Sequence, residues 1–586
     1  MLAVVLGGFD TKLTTVHRLT VHPPHRLPPV LTRRAAYALA AAVAVVLMGY
    51  VLWPNLATFG LGLQGDGLRT FFSSWDAAGV RALTNSVGIA LATVVGAGVF
   101  GTTLAYAFFR YDLPLKGVLQ GVAVLPLALP PLVGVLAFLF LYSESGVLPR
   151  ALQVLLGLDA VPFRFEGLAA VWLVHVYAFY VYFYLFAAAA LARLDRSLLD
   201  ASADLGASGW TTLRRVVLPL LRPALVGAAL LVFMVAMASF TAPLLFAEDE
   251  PFLTVFIYQQ KINGNLALSA TASVVLTSLC LLFLVGLELG PRLSGRGGGP
   301  LGGVAGKGAG RGGAPIRSGW GRAVASVGVV ALLLFVLLPV AMVVLLSFVQ
   351  EGAWTTQVLP PEYTLDNWRA VFADPDVAAP IQNSLWMATL ATAANVVVGV
   401  AAALVIAKTQ VVGRGLLRAL ALLPFAVPGT VIALGLIVAF DEPSALSFGH
   451  ILLGTYWLLP IAYFVRHLPL VVQATQAALD AFDDRLTEAS ADLGANAWTT
   501  FRRVVWPVIL PSVAAGTLLT FVTALGEFVA SILLYVFGNR PISVEIFAQL
   551  RLYDLGAAAA YSVLLIGLVV AASAITRIVS GRAVAG

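Results

Sequence analysis

Twelve apolar runs, each about twenty residues or longer, leave this chain few folds to choose from. They fall at Ala35–Leu56, Asn85–Phe109, Val118–Tyr142, Leu168–Leu194, Ala224–Phe246 and Leu266–Glu288, then at Ala323–Phe348, Ser384–Ala407, Leu416–Phe440, Ile451–Val472, Ser512–Val536 and Ala557–Arg577. Runs of that length match the thickness of a bilayer's hydrocarbon core, where a helix satisfies its own backbone hydrogen bonds. The chain is 60% hydrophobic and 11% charged, with a mean hydropathy of +0.94 over 586 residues. A soluble fold of this size does not bury so much apolar surface. The expectation is an all-α membrane protein of about twelve transmembrane helices, six in each half.

Charge gives the orientation. With both termini on one side, the loops of that side hold 26 of the 35 Lys and Arg, the other side holds eight, and Arg466 lies inside a run. The positive-inside rule then predicts a plasma (inner) membrane protein with both termini in the cytoplasm. The basic residues are scattered among short loops, so the pI near 9.4 is a topology signal and not a nucleic-acid footprint. Cys280 is the only cysteine, which excludes a disulfide within the chain and a thiolate metal site. No metal site is expected.

Residues 291–322 contain GRGGGPLGGVAGKGAGRGG, a composition that makes a flexible tether. Its GGVAGKG lacks the spacing, the Ser/Thr and the preceding strand of a phosphate loop. The expected organisation is a cytoplasmic tail at 1–34, a membrane domain at 35–290, the linker at 291–322 and a second membrane domain at 323–586. The halves repeat one another. Asn85-Ser86 opens the second run and Asn383-Ser384 the eighth. Each is followed by a short basic turn and a proline-bearing run, with Pro126, Pro130 and Pro131 in one half and Pro424 and Pro428 in the other. Each half reads as one leading span and five core spans in the same orientation, a parallel repeat expected to pair about a pseudo-two-fold axis. The recurrent prolines predict bends, which either shape a pathway or improve packing.

The closest repetition is a polar island. Ala201–Pro219 (ASADLGASGWTTLRRVVLP) and Ala489–Pro507 (ASADLGANAWTTFRRVVWP) lie 288 residues apart and are identical at 15 of 19 positions. Asp200 or Glu488 stands at the start of a helix-favouring stretch, where an acid suits the positive helix end. Gly206 or Gly494 allows a tight turn or the close approach of another backbone. Ala201, Ser202 and Ala203, with Ala489 and Ser490 in the second copy, predict a smooth helix face. Arg214 or Arg502 stands beside it, and Pro219 or Pro507 begins re-entry into the membrane. Such a surface suits docking into a partner's cleft; a helix lying on anionic headgroups is the other reading.

These islands resemble the EAA loop of permease subunits of binding-protein-dependent ABC importers: Glu-Ala-Ala, three residues, Gly, nine residues, an aliphatic, one residue, an aliphatic, Pro. The second copy matches at Glu488, Ala489, Gly494, Val504 and Pro507, with Ser490 and Trp506 as departures. The first matches at Ala201, Gly206, Val216, Leu218 and Pro219, with Asp200 for Glu and Ser202 for Ala. The resemblance covers about 85–288 and 383–577. It implies the type I importer fold in a fused permease that does not itself hydrolyse ATP. It also implies two copies of a cytoplasmic ABC ATPase, holding ATP and Mg, seated on the islands, and an extracytoplasmic solute-binding protein on the outer loops. The strings YFVRHLPLVVQATQAAL and LGEFVASILLY are most similar to ferric-iron-type permeases, with thiamine, polyamine, sulfate or sugar as further cargoes.

Five residues are expected to line the pathway or its gate: Glu527, Arg466, Ser239, Pro130 and Pro428. Charge inside a span is costly and faces protein or water. Counted from the starts of their runs, Arg466 and Glu527 fall towards opposite faces, so no direct ion pair is expected. A negative Glu527 would suit a cationic cargo. Ser239 stands at its place in the first half, and Ala178 at that of Arg466. His175 is expected to pack. The alternative function is an ion-gradient-driven secondary transporter or channel, but that would need a midplane carboxylate cluster or Gly-rich half-helices.

Overall fold

The computed structural model describes residues 32–195, 197–293, 319–354 and 357–585. Most of the tail read as 1–34, and of the linker read as 291–322, lies outside the described residues. Among the described residues the structure is helical, with one isolated bridge between Val349 and Tyr363. The first half contributes α1 (Arg33–Leu63), α2 (Ala78–Arg110), α3 (Pro131–Tyr142), α4 (Gly167–Ala192), α5 (Ser197–Asp204), α6 (Gly209–Met237), α7 (Thr241–Phe246) and α8 (Leu266–Leu293). The second contributes α9 (Trp320–Leu346), α10 (Pro375–Lys408), α11 (Arg414–Ala426), α12 (Gly429–Ala439), α13 (Leu458–Asp480), α14 (Arg485–Asp492), α15 (Ala497–Leu525), α16 (Val529–Leu534) and α17 (Leu555–Ala585). Among the described residues, eleven segments are long and apolar enough to cross a membrane, and α11 with α12 makes a twelfth if counted as one span.

The proline-bearing runs are not single helices. α11 and α12 meet at 113°. Pro428 forces the residue before it out of helical geometry, and Val427 is extended at φ −94°, ψ 121°. In the first half the run read as Val118–Tyr142 breaks at Val124 and again at Leu129, which is extended before Pro130 and Pro131.

Two more spans differ from the sequence reading. α6 and α15 begin at Gly209 and Ala497, inside the islands, and end at Met237 and Leu525. Pro219 and Pro507 therefore lie within continuous helix and do not start the span. Each follows a π-helical turn, Leu213–Val217 or Phe501–Val505. That wider turn shifts the hydrogen-bond register just before the proline, whose nitrogen has no hydrogen to give.

The chain forms two compact units that interleave the halves. One contains the chain up to Gly60, Ala379–Ile542 and the residues from Gly567 onward; the other contains Leu61–Ala378 and Ser543–Ile566. In the first unit α1 packs beside the end of α12: Tyr50 Oη donates to the Leu446 carbonyl at 2.7 Å, and its ring stacks on Phe440. The centre of this unit is α13, whose apolar stretch is 83% buried. In the second unit α9 joins the first half's core. Phe335 meets Phe138 and Tyr177 at ring distances of 5.8 and 6.1 Å, and Tyr177 Oη donates to the Val336 carbonyl. Each leading span thus packs on the core of the other sequence half. The division at 35–290 and 323–586 follows the repeat, while packing divides the chain differently.

Candidate functional site

The two islands fold alike. α5 and α14 carry Asp200 and Glu488 in their first turns, where the acid meets the positive helix end. Both helices stop in a Schellman turn. The Gly206 N–H donates to the Ala203 carbonyl and the Ala207 N–H to the Ser202 carbonyl, and Gly494 and Ala495 do the same to Ala491 and Ser490. The turn requires φ of +75° at Gly206 and +80° at Gly494, a backbone region that L side chains rarely adopt. No atom stands within 4 Å of where a Cβ would be at either glycine, so each serves the turn and not a close approach. Ser208 and Asn496 then cap the next helix, accepting from the Thr211 and Thr499 N–H groups.

Ser202 and Ser490 are not on the outer face expected of them. Ser202 is buried, 2.8 Å from Thr212 Oγ1, and Ser490 stands 2.9 Å from Thr500 Oγ1. Each serine ties the island's first helix to its second. The outward surface carries large apolar side chains among its charges. Leu205 and Leu493 are 88% and 89% exposed, and Trp210 and Trp498 are 68% and 67% exposed. Ala201, Ala489, Arg214, Arg502, Pro219 and Pro507 are exposed with them. The sequence reading passed over these leucines and tryptophans, because a large apolar residue between membrane spans looks like core. Their recurrence in both islands was the available signal.

The second island is also pinned to a long span. Lys408 Nζ, at the end of α10, donates to Asp484 Oδ1 at 2.6 Å and lies 5.3 Å from the centre of the Phe482 ring. Phe482 belongs to the core that joins Val400 and Leu404 of α10 to Val505 and Ile509 of α15. In the repeated sequence, Arg110 and Arg196 align with Lys408 and Asp484.

Arg466 and Glu527 do form an ion pair, against the sequence reading. Arg466 Nε donates to Glu527 Oε2 at 2.7 Å. The reason lies in the helix ends. α13 starts at Leu458, seven residues later than the apolar run, and α15 stops at Leu525, so Glu527 sits in the break before α16 and not inside a span. Arg466 is eight residues into its helix, about 12 Å along the axis, close to the level of that break. Glu527 Oε1 also accepts the Ala530 N–H at 3.0 Å, capping α16. His467 Nε2 lies 3.7 Å from Oε2, and Tyr463 Oη is 2.7 Å from Ser531 Oγ, which donates to the Glu527 carbonyl. The negative charge expected to attract cargo is balanced by Arg466. Removing Arg466 strands the buried Glu527 carboxylate, at a cost of about 3 kcal/mol. In the first half the same break holds Ser239, whose Oγ is 2.8 Å from His175 Nε2. Pro130 and Pro428 each stand at an elbow, preceding α3 and α12.

The profile of a family described as the binding-protein-dependent transport system inner membrane component matches residues 97–293 and again 395–584. A probable ABC transporter permease, y4fN, of Sinorhizobium fredii is 30% identical over 86% of this chain and 89% of its own length. The ferric transport system permease FbpB of Actinobacillus pleuropneumoniae is 25% identical over 90% of this chain and 76% of its own. The sulfate transport system permease CysT of Escherichia coli is 34% identical over 32% of this chain and 72% of its own. Each profile match includes one island.

Proposed function

The chain belongs to the inner membrane components of binding-protein-dependent transport systems, as a fused two-domain ABC importer permease close to the ferric type, and we propose that its two islands seat two copies of a cytoplasmic ATPase. The carrying observation is the duplicated surface itself. Leu205 with Trp210, and Leu493 with Trp498, stand out from polar loops to the same degree, beside exposed arginine pairs. Exposed leucine and tryptophan are costly to leave in water, and buried aromatic anchors ringed by arginine are what protein interfaces favour. ATP and Mg would bind on the ATPase. Its closure would draw the islands together and shift the permease between inward-facing and outward-facing states. The islands, the linker and both termini would then face the cytoplasm, with a solute-binding protein docking on the opposite loops.

Ferric iron is the first cargo to test, because the ferric permeases align with this chain over most of its length and the sulfate permease over about a third. Thiamine, polyamines, sulfate and sugars follow. The test is uptake into proteoliposomes holding this chain, its ATPase and its binding protein. We expect ATP-dependent accumulation of labelled ferric iron, lost when the binding protein is left out. Uptake driven by an ion gradient without ATP would overturn the importer reading, and accumulation of another cargo alone would overturn iron.

A further inference from the structure

The elbow between α11 and α12 has a hole in it, and Arg466 fills the hole. A Cβ built on Gly429 would overlap Arg466 Nη1 and fall 3.1 Å from Nη2, so the guanidinium occupies space that any side chain at 429 would claim. The same guanidinium is held through Nε by Glu527, which itself caps α16. One side chain thus joins the bend after Pro428, the buried helix α13 and the break between α15 and α16. Thr430, next to Gly429, has a buried hydroxyl without a hydrogen-bond partner.

The first half keeps the proline elbow and the helix break but lacks the notch and the charged pair. Pro131 stands at the place of Gly429, Ala178 at that of Arg466 and Ser239 at that of Glu527. A filled position accompanies a small residue, and an empty one accompanies a long cation. We propose that Arg466 is a positioning residue for transport: locked by Glu527 in the Gly429 notch, it sets the angle of the second half's broken helix. That half then opens by parting a charged latch, while the first half moves on neutral contacts. The inference rests on the importer reading for its transport consequence and on geometry alone for the notch.

The test is a cycle of variants. Gly429→Ala pushes a methyl into the guanidinium. The relieving variant is Arg466→Ala with Glu527→Gln, which removes both charges and strands neither. In proteoliposomes with ATPase and binding protein, G429A should lower maximal uptake about tenfold, with an unchanged KM for loaded binding protein. The triple variant should transport as well as the Arg466→Ala, Glu527→Gln pair, with no further loss. Thermal unfolding of the detergent-solubilised chain should follow the same pattern, G429A lowering the Tm only while Arg466 is present. Arg466→Lys keeps the charge without the planar fork and should recover part of the uptake. Wild-type activity in G429A would overturn the proposal. So would losses that multiply in the triple variant, or a triple variant that fails to fold where the double folds. If wild type itself shows no ATP-driven uptake, the importer reading fails, and the Tm cycle still decides the notch.

Discussion

Ser202 and Ser490 show what one hydroxyl can do in a loop that must keep its shape. Each joins a short helix, α5 or α14, to the opening turn of a long one, α6 or α15. A hydrogen bond of this kind contributes about 1 kcal/mol. Ser202→Ala should therefore raise amide exchange at Ala207, whose N–H is held by the Ser202 carbonyl, about fivefold. Exchange rates equal to wild type would show that the tie is idle. The sequence made Gly206, Gly494 and the acids at the helix starts legible, because backbone geometry and helix charge act locally. It misplaced the serines, because a small polar residue suits either a docking face or a buried tie, and only the position of Thr212 or Thr500 in space separates these. Arg466 and Glu527 were recognised as exceptional and then kept apart, since their meeting depends on where two helices end.

Helices, taken as elements, were easier to count than to bound. Apolar runs reveal membrane crossings, but the run at Ser512–Val536 includes the break at Gly526–Phe528 and omits the polar turns that open α15. Polar residues such as Thr499 and Arg502 join that helix because a spanning helix continues past the hydrocarbon into water. The elbows were legible as bends from Pro130 and Pro428, though not as breaks between separate helices. At this scale the tie between α10 and the second island matters most. Lys408 is nearly buried, and its pair with Asp484 fixes α14 to the longest span of its half. Lys408→Ala should leave the ATPase bound but lower the solute moved per ATP by several-fold, and exchanging the two charges (Lys408→Asp with Asp484→Lys) should recover much of it. Unchanged coupling in Lys408→Ala, measured as uptake against phosphate release, would remove the pair from the transmission path.

For the whole molecule, the repeat announced two equivalent halves, and the packing interleaves them. α1 lies with the second half's elbow and α9 with the first half's aromatic cluster. No sequence pattern carries that information, because an apolar helix face fits many neighbours equally well. What the repeat did carry is the pair of matched islands, and the central claim is that both are gripped at once. The direct measurement is the number of ATPase subunits bound per purified chain, titrated in detergent with ATP present. The account predicts two for the wild type, one when Leu205 and Trp210 are changed to Ser, one when Leu493 and Trp498 are changed instead, and none when all four are changed. A wild-type value of one, or a value of two that survives all four substitutions, would contradict it.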